Sequence, residues 1–297
     1  MTTNKPLLGI LSMIASTAVL SAKDGLAKTF VDEVNPVQMI WIQFVGTFIV
    51  MSLVTLPRHG IRTFTPKPAF GQFIRGTLNA VAIVALYWSL IYIPLADATA
   101  MFMFAPTIVT LLSPFLLGEK LGIRRAIAVG VGFAGVIVIL RPDLSGDAIG
   151  YYIGLLSGIL MGLYFIANRK LAGAQPPLLN ITHNALLGGL ALTPFFQLFW
   201  VPIDPVNLPK LAAIIALAVV GQALMISAFM FATAVTLAPF SYTFIVFATA
   251  IGYFVFGDFP DQITWIGIAL IVASGLFIAI REIQLAEAAK PIKTSDG

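Results

Sequence analysis

The chain has 297 residues, of which 59% are hydrophobic and only 10% charged, and its mean hydropathy is +0.97. A soluble domain carries about 25% charge, so 17 basic and 13 acidic side chains cannot clothe a water-soluble core of this length, and the class left is a membrane protein. The net charge of +4 forms no basic domain or stripe, which excludes a nucleic-acid-binding module, and the lack of cysteine excludes disulfides, thiolate catalysis and Cys-ligated metals.

A helix crossing hydrocarbon needs about 20 mostly apolar residues. Ten such runs occur in chain order: residues 7–22, 36–56, 70–93, 95–117, 123–140, 149–167, 178–201, 211–234, 237–256 and 263–280. The first lies behind Lys5 and has the length of a signal peptide, but its pattern recurs in the sixth run, so it reads as a retained helix. The turns at Pro94 and at 234–237 are very short. No gap between runs exceeds the 13 residues of 57–69, which leaves no room for a soluble catalytic or nucleotide-binding domain, and no P-loop pattern is present.

The basic residues set an orientation. With the N-terminus cytoplasmic, 13 of the 17 Lys and Arg fall on the cytoplasmic side, and only Lys23, Lys28, Arg141 and Lys210 fall opposite. That is a positive-inside signal placing both termini in the cytoplasm. The expected location is the bacterial inner membrane.

The chain also resembles itself. An offset of 145 pairs Gly9 with Gly154, Ser12 with Ser157, Ala22 with Ala167 and Leu26 with Leu171. An offset of 139 pairs Leu117-Gly118-Glu119 with Phe256-Gly257-Asp258. A five-helix unit crosses an odd number of times, so its second copy enters from the opposite side: the repeat is inverted, the arrangement from which alternating-access carriers are built. The expected units are residues 1–145 and 146–281, followed by a cytoplasmic tail at 282–297.

The duplicated unit, the hairpin before Ala96-Asp97-Ala98, Pro106 in the fourth run, the Gly118-Glu119-Lys120-Leu121 turn and the Gly130 to Gly135 helix resemble the EamA family of drug/metabolite transporters. The resemblance spans about Leu7 to Arg281 and is strongest in the Gly-Glu-Lys-Leu turn. Within the family the chain is similar to exporters of aromatic amino acids and other metabolites. The second copy departs, with Gly257-Asp258-Phe259-Pro260 at the turn and Ile245 opposite Pro106.

Polar groups deep in hydrocarbon are costly and mark candidate sites. Gln38, Asn79 and His183 lie one to three turns inside their runs, and Gln38 and His183 correspond at the 145 offset. With Trp41, Tyr87, Tyr164, Gln222 and Tyr242 they are the expected substrate-binding residues, and Pro106, which would break a helix, the expected gate. The alternative for each amide is a hydrogen bond to a neighbouring helix, worth about 0.6 kcal/mol. Gly154, Gly158 and Gly162, and likewise Ala126, Gly130 and Ala134, are spaced for close helix contact.

Away from the run ends there is no Asp, Glu, Lys or Arg, which favours neutral, zwitterionic or amphipathic cargo and disfavours a midplane carboxylate for ion coupling. Ser157 with His183 superficially matches a serine-histidine pair, the enzymatic alternative. The expectation is an all-α, ten-helix monomeric exporter in the lipid bilayer, moving amino acids or related small molecules by alternating access, without catalytic residues, cofactor or metal. A multidrug, nucleoside or other metabolite exporter is the alternative within the family, and an intramembrane protease or a receptor subunit the alternative outside transport.

Overall fold

The computed structural model describes residues 5–118, 122–140, 148–232 and 234–288. Within these the chain is all-helical: α1 Pro6–Lys28, α2 Pro36–His59, α3 Ala69–Ser89, α4 Leu95–Phe102, α5 Ala105–Leu116, α6 Ile123–Leu140, α7 Ala148–Lys170, α8 Pro177–Phe196, α9 Leu208–Phe231, α10 Ala234–Ser241, α11 Thr243–Phe256 and α12 Gln262–Ala288. The local signals are plain. Proline opens α1, α2, α8 and α9, where its missing N–H costs nothing. Asn35 caps α2 by accepting from the Val37 N–H at 2.9 Å, and Gly257, at φ 72°, ends α11 in the left-handed region.

Nine stretches among the described residues are long and apolar enough to cross a membrane, with α4 and α5 forming one such stretch. The seventh expected run, α8, is long enough at 20 residues, but Asn180, His183 and Asn184 crowd its first half and dilute its apolarity below that of the others. Elsewhere the helices outrun expectation. α1 continues through Lys23 and Asp24 to Lys28, and α12 continues into the expected tail as far as Ala288. The Glu119-Lys120-Leu121 part of the diagnostic turn, Arg141 and the boundary between the two expected units lie outside the described residues.

Packing follows a regular scheme. α1 lies along α9, α10 and α11, and α7 lies along α3, α4 and α5; α2 packs on α8 and α9, α3 on α8, and α6 on α12. Small residues permit the closest approaches. Gly158 sits against the Met101 carbonyl and Gly162 against Ile108, as their spacing predicts. On α6 the expected Gly130 contact is absent, since no atom lies within 4 Å of its Cβ position; Gly132, against Thr107 and Ser274, and Gly135, against Gly267, make that interface. The inward face of α6 carries Ala128, Gly132, Gly135, Val136 and Ile139, and Gly130 and Ala134 are exposed.

Loop contacts define two ends. At one, His183 binds the Arg62 carbonyl, Gln175 the Lys67 carbonyl, and Arg75 reaches Asn180. We call this the basic end. At the other, the acidic end, Lys28 pairs with Asp258 and Asn207 with Glu33.

Candidate substrate-binding site

The fourth and ninth runs are both broken. α4 and α5 part at Met103 and Phe104, where bonds from the Phe104 N–H to Met101 and from the Thr107 N–H to Phe104 form a tightened turn. Pro106 stands in the first turn of α5, so it starts a new helix segment and does not remove a bond from the middle of a continuous one. In the ninth run the break is at Tyr242, three residues after Pro239. The same discontinuity is thus produced by prolines on opposite sides of the two breaks.

The half-helices are arranged asymmetrically. α4 packs against α11 toward the acidic end. Between α5, α7, α12 and the α10–α11 break lies a crevice of about 330 Å³, lined by Pro106, Val109, Thr110, Phe165, Arg169, Ser241, Tyr242, Gly275, Ile278 and Ala279. Tyr242 reaches across the break to α12, and its hydroxyl occupies the space that a Cβ on Gly275 would need. Apolar walls, one aromatic ring on each side and a guanidinium at the rim give the crevice amphipathic character.

The structure brings Tyr242, expected to bind substrate, and Pro106, the expected gate, together in this crevice. Tyr164 is next to the lining residue Phe165, packed against Ala82, Ala105 and Met161. Asn79 is buried on α3 and Gln222 half-buried on α9.

The rest are engaged elsewhere. Gln38 is fully buried, with its Nε2 donating to the Val201 carbonyl and its Oε1 accepting from the Val201 N–H, both at 2.9 Å. It clamps the connection that follows α8. Trp41 donates to Thr193 Oγ1 and stacks on Phe196 at 4.2 Å between centroids. The His183 Nε2 lies 2.9 Å from the Arg62 carbonyl, and the Ser157 hydroxyl donates to the Gly154 carbonyl at 2.6 Å, so the two are not joined as a catalytic pair. Tyr87 donates to Asp24 Oδ1 at 2.9 Å.

The EamA-like transporter family matches residues 7–141 and, a second time, residues 148–280. The chain belongs to the EamA-like transporter family. Among curated relatives of this EamA chain is an S-adenosylmethionine uptake transporter of Rickettsia felis, 25% identical over 92% of this chain and 91% of that protein. Others are a riboflavin transporter of Rhizobium johnstonii, 27% identical over 80% of each, and a pseudopaline exporter of Pseudomonas aeruginosa, 25% identical over 90% of this chain and 94% of that one. A solved crystal structure, 20% identical, superposes with a TM-score of 0.63 over 96% of this chain and 100% of that one, which shows a shared fold.

This EamA-family chain holds more buried charge than its sequence implies. Arg75 is buried and donates to the Asn180 side chain at 3.0 Å and backbone carbonyl at 2.7 Å. Asp97 accepts from the Tyr151 hydroxyl at 2.8 Å. Lys23 and Asp24 are also buried and pair at 2.9 Å. These groups sit near run ends in the sequence, and only the extra helical turns and the overlying loops enclose them. Arg169 was legible as a topogenic charge, not as a wall of the crevice.

Proposed function

We propose that this protein is a carrier of ten transmembrane helices, built as two inverted five-helix units, that exports small zwitterionic or amphipathic metabolites by alternating access. Aromatic amino acids are the substrate class it fits best. In this reading α8 is the tenth span, and residues 1–145 and 146–281 are the two units. Exchanging the units maps the α1–α9 contact onto α7–α3, α1–α11 onto α7–α5, α1–α10 onto α7–α4, and α2–α9 onto α8–α3, while α2–α8 and α6–α12 map onto themselves; all are present.

The observation that carries the functional reading is the state of the broken helices. One pair of half-helices, α4 and α11, is packed together, and the other pair flanks a crevice. A carrier closed at one mouth and open at the other has this asymmetry. The crevice lies toward the basic end, which the positive-inside rule places in the cytoplasm together with both termini, so it loads from inside. Export across the inner membrane is the direction proposed from the family resemblance, and the relatives include proteins named for uptake and for export.

The substrate class follows from the lining. Phe165 and Tyr242 offer ring faces, Ser241 and Thr110 hydroxyls, and Arg169 a partner for a carboxylate. Asn79, Tyr164 and Gln222 extend the proposed site along α3, α7 and α9. Gln38, Trp41, Tyr87 and His183 support its frame. Transport into liposomes containing the purified protein, over a panel of amino acids, nucleosides and cationic drugs with and without a pH gradient, tests the reading. Flux of aromatic amino acids that falls in Arg169→Gln and Tyr242→Ala at undiminished protein level is expected; equal flux in both variants moves the site out of the crevice.

A further inference from the structure

We propose that Asp24 and Tyr87 form an ammonium-binding site at the acidic end, and that the Lys23 ammonium is its tethered occupant when substrate is absent. The inference rests on the carrier reading above and names the chemistry of its second mouth. The Asp24 carboxylate lies 2.9 Å from Lys23 Nζ and accepts the Tyr87 hydroxyl at 2.9 Å, while Nζ stands 5.2 Å from the centre of the Tyr87 ring. A carboxylate beside an aromatic face is the combination that holds an alkylammonium. All three residues are enclosed, with Lys23 6%, Asp24 3% and Tyr87 0% exposed. Burying an ion pair contributes little net stability.

The occupant is poorly prescribed by its own helix. Side chains at successive helix positions diverge by about 100° and do not face one another, so Lys23 reaches Asp24 by folding back. Its flexible stem can equally swing away when a better-placed ammonium arrives.

The location gives the cluster a role. At the 145 offset Asp24 corresponds to Arg169, bracketed by the pairs Ala22 with Ala167 and Leu26 with Leu171. Arg169 lines the crevice that is open. When the two units exchange states, the equivalent position on α1 borders the mouth at the other end. A second polar group awaits there: Thr249 of α11, the counterpart of the crevice residue Thr110 at the 139 offset, is buried with its hydroxyl unpartnered among the described residues. The charge at the equivalent position reverses between the mouths, a guanidinium for a carboxylate at one and a carboxylate for an ammonium at the other. A substrate bearing both groups is recognised on each side by a different end of itself.

The test is binding of phenethylammonium, with 2-phenylethanol as the uncharged control, to purified protein in detergent by calorimetry. Removing the tethered competitor in Lys23→Met is expected to tighten phenethylammonium about tenfold, the scale of one charge-assisted hydrogen bond, and to leave 2-phenylethanol unchanged. Lys23→Met/Asp24→Asn is expected to lose the gain. Lys23→Gln serves as the second variant, and monodisperse elution certifies the fold of each. Equal affinities in wild type and both Lys23 variants, or a gain shared by the alcohol, overturns the proposal. L-phenylalanine flux in liposomes is read separately. A gain in ammonium binding without flux supports the site and removes the carrier reading, whereas flux without the gain removes the site alone.

Discussion

Single side chains separate binding roles from structural ones. Gln38 makes two hydrogen bonds to one buried peptide group, so Gln38→Ala is expected to cost about 1–3 kcal/mol through the unmet polar groups it leaves. The measurement is a lowered unfolding temperature in detergent, with the KM for transport unchanged in the protein that remains folded. Glycines give a sharper contrast. A Cβ at position 158 would collide with the Met101 carbonyl, whereas one at position 130 meets nothing within 4 Å. Gly158→Ala should destabilise by about 1–3 kcal/mol through overpacking, and Gly130→Ala should stabilise by up to about 1 kcal/mol through helix propensity. Thermal unfolding of the two variants side by side checks both signs. At this scale the sequence was a partial guide: it pointed to Tyr242 and Pro106, but an amide that lines a crevice and an amide that clamps a loop look alike until the partner, here Val201, is known.

At the scale of elements, the runs of apolar residues were legible because hydrocarbon thickness fixes their length, and the short turns because proline and glycine punctuate them. Two features were not legible. The second break arises from Pro239 where alignment with Pro106 pointed to Ile245, and the C-terminal end of α1 buries charges that the sequence placed at a run end. Each depends on what packs across from the element, which a linear pattern does not contain. The acidic end is fastened by Lys28, whose Nζ lies 2.9 Å from Asp258 and 3.4 Å from the Ile93 carbonyl and 5.0 Å from the Phe256 ring centre. This joins the end of α1 to the turns before α4 and after α11. Because the side chain of Asp258 is partly exposed, the pair adds little to overall stability, yet in the proposed carrier it spans the mouth that would open. Asp258→Ala is expected to raise labelling of a single cysteine at Thr249 by a membrane-impermeant thiol reagent several-fold. The chain has no cysteine of its own to interfere. Unchanged labelling would show that the ion pair does not hold the mouth shut.

For the whole molecule, the scarcity of charge means that few ions are available, and Lys23, Asp24, Arg75 and Asp97 among them are enclosed with partners. The topology reading predicts that reporter domains fused at either terminus report the cytoplasm; a periplasmic signal from one of them would mean an odd number of spans. The central claim is that substrate moves through a mouth that opens on one side at a time. Trans-stimulation of L-phenylalanine flux in liposomes tests it most directly. Unlabelled L-phenylalanine on the far side should accelerate entry of labelled L-phenylalanine severalfold, because a loaded carrier returns faster than an empty one, and Arg169→Gln should abolish the acceleration. Flux that is unaffected by substrate on the far side, or no flux at all, would contradict the account.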